Sequence, residues 1–456
     1  MKTRCDVLII GTGTAAHNVA HPCARADLDV VVVDARAYGG TCARRGCQPK
    51  KLLVAAAAVV AAARDLQGRG LGSVPVLAWS DLMRAKRAFT DAVPARTEEG
   101  FRRAGITTLH GRARFDGPAS VRIDGPDPGT IEAGIVVVAS GARPVSLPFP
   151  GADLLTTSEE FLDLDALPRR LVCVGGGYIS MEFAHVAAQA GVKATVLQRG
   201  PRILPAFDQD LVGMLTTASG DLGIDVRTDA EVTSVERHGQ GLLVRTGDGG
   251  ESHAADLVLH GAGRVPDLDD LDLERAGVAY SSGGITVDAG LRSTTNPAVL
   301  AVGDAADRPP RLAPTADREG QVAAANIIAG RTIREMGQAA VPSVVFTHPR
   351  LASVGMGAAA AAASGPEVTV RSHDTGGWPS SRRLGQRHGG CKVMLETSTG
   401  RILGAHVLGP GADDVINVFA LAIHAGLTAG DLQEVLWAYP TATSDIKRML
   451  AGEPEA

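Results

Sequence analysis

The sequence predicts an α/β fold in which two Rossmann-like domains are followed by a C-terminal α+β domain. Three observations carry this expectation. A Gly-x-Gly turn, Gly11–Ala16, joins an apolar strand to a helix, and the next strand ends on Asp34. The same order of strand, glycine turn, helix and strand recurs at Leu171–Gln198, and 23 residues separate Gly11 from Asp34 just as 23 separate Gly175 from Gln198. At 456 residues the chain has room for about three domains, and its composition changes after a short linker, Gly337–Pro342.

Composition narrows the function classes. With 45% hydrophobic residues the chain can bury sizeable cores. A formal net charge of −5 gives nucleic acid and anionic membranes no electrostatic handle. Val7–Ile10 is too short for a signal-peptide core, and Asp6 interrupts its approach, so the expected location is the cytoplasm. The longest apolar run, Leu52–Ala63, has the length of a buried helix and falls short of a bilayer span. Cys5, Cys23, Cys173 and Cys391 are scattered and make no disulfide framework. They are expected as small buried hydrophobes.

In chain order, Arg4–Ile10 reads as a strand, Gly11, Gly13, Thr14, Ala15 and Ala16 as the turn into a helix ending near Ala26, and Asp29–Val33 as the second strand, leading to Asp34 and Ala35. Glycines at such a turn let the backbone approach a pyrophosphate at the helix N-terminus, and an acid after the second strand suits a ribose 2′-hydroxyl. The glycine string alone is a weak signal; the ordered series makes it stronger. In the repeat, Gly175, Gly177, Tyr178 and Ile179 stand at the turn and Gln198 takes the place of Asp34. Two such units imply two bound dinucleotides. Gln198 is neutral, and Arg199 follows it, with Arg202 a little further on. Cations there favour a 2′-phosphate, so NADPH is expected over NADH. A solvated surface charge is the plain alternative for Arg199.

The stretch Gly39-Gly40-Thr41-Cys42-Ala43-Arg44-Arg45-Gly46-Cys47-Gln48-Pro49-Lys50-Lys51 places two cysteines in a glycine-punctuated segment that opens an apolar helix. An undistorted helix would hold them about 7.5 Å apart along its axis, slightly beyond the roughly 7 Å Cα limit for a disulfide. The turn is therefore expected to be distorted, with Gly46 supplying the backbone freedom. A helix N-terminus flanked by Arg44, Arg45, Lys50 and Lys51 is a field that lowers a thiol pKa. This stretch resembles the redox-disulfide signature of the flavin-dependent pyridine nucleotide-disulfide oxidoreductases, the group of glutathione reductase, dihydrolipoyl dehydrogenase and mercuric reductase.

Further segments resemble the same family along the whole chain. Ile135–Pro144 is similar to the exit from the flavin domain, with Ala139, Ser140, Gly141 and Arg143 and with Ser140 in place of the usual Thr. Leu257–Asp267, with Gly263 and Arg264, resembles the exit from the nicotinamide domain. The resemblance implies that Asp304, after Gly303, contacts the flavin's ribityl chain. It also implies that Leu312, Ala313, Pro314, Thr315 and Ala316 open a helix toward the isoalloxazine, and that Gly40, Thr41, Arg112 and Ala113 contribute to the FAD site. The implied domains are 1–150 and 276–340 for FAD, 151–275 for NAD(P)H and 341–456 for dimerisation, giving a homodimer with FAD and NADPH as cofactors.

The relay implied by the resemblance begins at a nicotinamide pocket gated by Tyr178. Cys47 is the flavin-contacting thiolate and Cys42 the exchange thiol. Glu182 forms an ion pair with Lys50 or Lys51, and both lysines stay open. The departure lies in Trp437–Asp445. Family reductases carry an acid-base histidine and its orienting glutamate in this loop; here Tyr439 and Ser444 stand in those places. A phenol ionises near pH 10 and an imidazole near pH 6.5. Mercuric reductases share the tyrosine, yet this chain has no cysteine after Cys391 with which to deliver a metal. The expected activity is reduction of a small-molecule disulfide or related sulfur substrate. The alternatives are a metal-ion or quinone reductase using the same relay, and a non-enzymatic FAD-binding homologue. The intact Cys42, Cys47 and Glu182 argue against the last of these.

Overall fold

The computed structural model describes residues 3–247, 250–337 and 340–452. Part of the expected linker and the last four residues lie outside these. The chain divides into two compact units: residues 1–51, 84–145 and 264–339 form one, and residues 52–83, 146–263 and 340–456 the other.

The first unit is built on a sheet of seven strands among the described residues, in the order Thr107–His110, Val30–Asp34, Arg4–Ile10, Gly129–Val138, Ser120–Asp124 and Arg112–Phe115, with Val299–Ala301 also paired to Gly129–Val138. Its central strands are near-continuous runs of Val, Leu and Ile because both faces are covered. Val7, Leu8 and Ile9 and all four of Val30–Val33 are buried. The register aligns Ile10 with both Val33 and Val138, and Ala301 with Val138. The carboxyl ends of four parallel strands therefore share one edge, where Gly11, Asp34, Ala139 and Val302 leave the sheet. Ligands of open α/β sheets bind at such an edge.

Two helices cross over this sheet, Thr14–Arg25 and Ala313–Ile328. Gly320 permits their close approach, since a Cβ there would lie 2.6 Å from both the Ala15 carbonyl oxygen and the Asn18 Cβ. Asn18 locks the crossing by donating to Asp317 Oδ1 at 2.7 Å. The expected bounds of the first helix and the second strand hold to within one residue. The strand Val299–Ala301 stops before Asp304, which lies in a one-turn 3₁₀ segment, Gly303–Ala305.

The second unit contains a four-stranded parallel sheet among the described residues, ordered Asp225–Arg227, Lys193–Leu197, Arg170–Val174 and Leu257–His260. Its carboxyl edge gathers Gly175, Gln198 and Gly261. Among the described residues, Val232–His238, Gly241–Thr246 and Ser252–Ala255 form a three-stranded meander. A five-stranded antiparallel sheet runs in the order Ser343–Val345, Arg350–Gly355, Ile402–Gly409, Gly390–Glu396 and Val368–Asp374. The apolar face of helix Ala412–Ala425, including Val415, Ile416 and Phe419, buries against this last sheet.

The helical stretch Gly40–Asp65 is longer than its apolar run and reaches the length and composition of a membrane span. Its residues Leu53, Val54 and Ala57 pack with Phe161, Leu171 and Phe183 in the core of the second unit. Of the scattered cysteines, Cys23, Cys173 and Cys391 are buried as expected, whereas Cys5 is only half-buried. It sits at the exposed start of the first strand, before the sheet is covered. Burial pushes the Cys23 thiol up to about 12 and the Cys391 thiol likewise to about 12.

Gly320→Ala is expected to force the helices Thr14–Arg25 and Ala313–Ile328 apart, because backbone is what the new methyl meets. Overpacking of this kind costs about 1 to 3 kcal/mol, read as a lower denaturant midpoint; an unchanged midpoint would show that the crossing yields freely.

Candidate active site

At the edge of the first sheet, two glycine-containing loops press against each other. Gly11 has φ +110°, and a Cβ on it would stand 2.3 Å from the Ala139 carbonyl oxygen. Gly40 has φ +65°, and a Cβ on it would stand 2.4 Å from Gly13 Cα. Thr12 ties the loops together: its hydroxyl donates to Asp34 Oδ2 at 2.6 Å and accepts from the Gly39 amide at 3.1 Å. Asp34 Oδ1 also accepts from the Arg36 amide at 2.8 Å. Each Asp34 oxygen thus keeps a lone pair for a ligand hydroxyl.

The cysteine stretch is broken rather than smoothly helical. A short helix, Gly40–Arg44, ends at Arg45 (φ −133°), and a second, Cys47–Asp65, starts at Cys47. Gly46 does not supply left-handed freedom, contrary to the sequence expectation; the positive φ values fall on Gly39 and Gly40. What Gly46 supplies is room, since a Cβ there would sit 3.1 Å from both the Thr41 carbonyl oxygen and its Cγ2. The break brings the two thiols together, and Cys42 hydrogen-bonds to Cys47. Cys42 is half-buried and Cys47 exposed.

The expectation of a lowered thiol pKa fails for Cys42. Its pKa is raised, first by the hydrogen bond to Cys47, then by burial and by the charge of Cys47; the Thr14 hydroxyl and Lys50 pull the other way without prevailing. Cys42 is therefore the partner that keeps its proton and donates it to Cys47. In a coupled pair the positive field stabilises one shared negative charge.

The rest of the first unit's edge carries buried polar atoms in need of partners. Ser140 Oγ, Thr315 Oγ1, Arg311 Nε and Glu319 Oε1 are all buried and unpartnered among the described residues. Asp304 is half-buried and its pKa is raised by desolvation, opposed by Arg264 and Arg311. Gly303 has φ +65°, and a Cβ on it would reach van der Waals distance of the Ala15 and Ala316 methyls. It thereby joins the N-termini of both crossing helices, and neither N-terminus has a side-chain cap. Two uncapped helix ends, an acid beyond the second strand and unpaired hydroxyls fit a dinucleotide with a pyrophosphate and a polyol chain. These residues would hold FAD.

The other expected FAD residues have partners or surroundings of their own. Ala113 is buried in the sheet core, Arg112 pairs with Asp270, and Arg143 pairs with Asp269. Ala35 is exposed beyond Asp34. Gly141 (φ +78°) and Gly263 (φ +120°) flank two short strands, Ala142–Pro144 and Arg264–Pro266, which pair antiparallel as the chain leaves and re-enters this unit.

In the second unit, Gly175 has φ +98°, and a Cβ there would meet the Gly261 carbonyl oxygen at 2.6 Å. Gln198 Oε1 accepts from the Gly176 amide at 2.8 Å, so its side chain braces the glycine turn. Helix Tyr178–Gln189 starts at Gly177 without a side-chain cap, leaving its first amides to a ligand. Ile179 is buried, while Tyr178 is 51% exposed and so is not packed under the helix. Arg199 and Arg202 are exposed, and neither has a carboxylate partner among the described residues. This turn fits a nicotinamide dinucleotide.

Glu182 is fully buried on the same helix, and its Oε1 accepts from the Phe346 amide at 2.9 Å. One helical turn on, His185 Nδ1 accepts from the His348 amide at 3.2 Å. The C-terminal loop carries Tyr439 at 77% exposure. Ser444 does not orient it: Ser444 Oγ donates to the Thr441 carbonyl oxygen at 2.6 Å. Asp445 is buried, and its charge bears on Cys391 in the core.

Sequence reasoning missed Thr12 and Glu319. Thr12 was only the variable position of a glycine string, and its hydroxyl was the available signal. Glu319, 1% exposed, was a lone acid on the apolar face of its helix. It accepts from the Gly303 amide at 2.6 Å, and desolvation raises its pKa to about 7.

Comparison with known proteins follows the same outline. The family described as pyridine nucleotide-disulphide oxidoreductase matches residues 5–320, and that family's dimerisation domain matches residues 341–450. Dihydrolipoyl dehydrogenase of Haloferax volcanii is 34% identical, with 97% of this chain and 94% of that protein covered. Glutathione reductase of Burkholderia cepacia is also 34% identical, with 96% and 97% covered. A solved structure of the HOCl-induced flavoprotein disulfide reductase RclA from Escherichia coli, in a Cu(II) complex, superposes with TM-score 0.89 at 26% identity, covering 99% of each chain.

Proposed function

Because this chain belongs to the pyridine nucleotide-disulphide oxidoreductase family, we propose that it passes electrons from NADPH through FAD to Cys42 and Cys47, and on to a disulfide or related sulfur substrate. It is an oxidoreductase that uses FAD and a nicotinamide nucleotide, and it carries the family's dimerisation domain. The observation that carries the finer reading is the pair of thiols in hydrogen-bonding contact beside Thr14 and Lys50. A homodimer in the cytoplasm is part of the same reading.

FAD, when bound, supplies the hydride acceptor and the electron pair that opens a disulfide. The chain's own residues do the rest. Asp34 and the uncapped amides at Thr14 and Ala313 hold the dinucleotide. Cys47, which accepts the hydrogen bond from Cys42, is the sulfur on which negative charge rests, with the Lys50 ammonium and the helix start to stabilise it. Cys42 keeps a proton it must lose before attacking a substrate sulfur. Family reductases have an imidazole for that transfer; here the loop offers an exposed phenol at Tyr439.

For the nucleotide, unpaired Arg199 beside neutral Gln198 supports a contact to a 2′-phosphate. Arg199→Ala is expected to raise KM for NADPH by roughly 10- to 100-fold, the loss of one charge-assisted hydrogen bond of about 1.5 to 3 kcal/mol, and to leave KM for NADH nearly unchanged. Equal effects on both coenzymes would remove the NADPH preference.

For the substrate, glutathione disulfide is expected to turn over slowly near pH 7 while reduction of the flavin by NADPH stays fast. A positioned acid-base group contributes about 10²- to 10⁴-fold. Disulfides with low-pKa leaving thiols need less protonation and should be preferred. Tyr439→His with Ser444→Glu should raise glutathione disulfide turnover and leave the NADPH half-reaction unaltered in stopped-flow. Wild-type turnover at the rate of a dedicated reductase would refute this account of the loop.

A further inference from the structure

We infer that the second unit carries a binding site for a small phosphate-bearing anion, formed by Arg69, Arg382, Arg383 and Arg387. This site is additional to the nucleotide turn. Helix Pro379–Leu384 stops at Gly385, which has φ +76° and lies so close to the end of helix Cys47–Asp65 that a Cβ would be 2.3 Å from the Asp65 carbonyl oxygen. This contact brings Arg382, Arg383 and Arg387 beside Arg69, whose Nη1 donates to the Arg382 carbonyl oxygen at 3.4 Å. The four arginines line a cavity of about 530 Å³, within the usual range for small-molecule sites.

The charge around this cavity is unbalanced. Several arginines elsewhere in the chain pair with acids, as at Arg170 with Asp256, Arg350 with Asp413 and Arg401 with Glu396. None of the four cavity arginines has a carboxylate partner among the described residues. The acids nearby are already engaged: Asp65 with His348 at 2.7 Å, Asp221 with His388 at 2.8 Å and Asp374 with the Gly376 amide at 2.8 Å. Like charges facing one another across a concave surface repel unless an anion joins them, and guanidinium forks match phosphate oxygens bidentately.

A second observation specifies the ligand further. Gln386 lines this cavity, and its side-chain oxygen is buried without a hydrogen-bond partner. A phosphate that carries one proton supplies an O–H for that oxygen and charged oxygens for the arginines, whereas sulfate has no donor. Turned over, the same amide would give its NH₂ to a phosphate oxygen.

The test is calorimetric titration of inorganic pyrophosphate into the FAD-loaded protein, with oxidised NADP⁺ present at saturation to fill the nucleotide turn. Pyrophosphate is expected to bind once per chain, more tightly than sulfate, with a Kd that rises with salt. Arg383→Ala with Arg387→Ala should raise that Kd at least roughly 10-fold, consistent with loss of charge-assisted hydrogen bonds. Arg401→Ala, which removes a paired arginine from the same unit, should leave it unchanged. All three substituted side chains are exposed, so retained flavin content and an unchanged melting temperature confirm the fold. Absence of saturable binding, or one Kd shared by wild type and the double variant, would overturn the inference.

Discussion

The close contact between the loops at Gly13 and Gly40 is the constraint on which the rest of the site depends. Gly40 Cα takes a position that leaves no room for a Cβ against Gly13, and the Thr12 hydroxyl holds the two loops in register through Asp34 and the Gly39 amide. The contact fixes Cys42 next to Thr14 at the start of the first helix. The broken turn at Arg45 and Gly46 then returns Cys47 to the side of Cys42. Redox chemistry at sulfur needs both thiols in one place and a field that tolerates one negative charge. Both conditions follow from backbone geometry before any ligand is considered.

The architecture was largely legible because its signals are local and repeated. The buried runs Val7–Ile10 and Val30–Val33 can only be central strands, and the equal spacings from Gly11 to Asp34 and from Gly175 to Gln198 announced one unit used twice. The particular use of each residue was less legible. Gly46 reads as a hinge in the sequence, yet it serves as a gap for Thr41. Cys42 reads as a thiol in a positive field, yet its nearest electrostatic partner is Cys47, and that interaction prevails. A local sequence window holds field sources such as Lys50, but not the distance between two sulfurs. The roles of Thr12 and Glu319 were less legible for a related reason, since their partners, Asp34 and the Gly303 amide, lie 22 and 16 residues away in sequence.

The two nucleotide turns share a fold and differ in chemistry. In the first, Asp34 holds its own loop and offers a carboxylate. In the second, Gln198 performs the bracing role by accepting from the Gly176 amide and carries no charge to repel a phosphate. A single exchange of acid for amide thus keeps the turn intact while altering what it tolerates. The C-terminal loop follows the same logic in reverse: Ser444 turns back on Thr441, so it does not orient the tyrosine at the position where the family pattern has a histidine. In the proposed relay the thiol pair is retained, while the C-terminal loop differs from the expected family pattern.

The central claim is that Cys47, paired with Cys42, exchanges electrons with the bound flavin. Anaerobic addition of two electron equivalents to the purified protein, followed by absorbance, tests it most directly. The account predicts a new long-wavelength band from the Cys47 thiolate to oxidised flavin, lost in Cys47→Ser and kept in Cys42→Ser. A reduced spectrum that shows only bleached flavin, the same in wild type and in both variants, would contradict it.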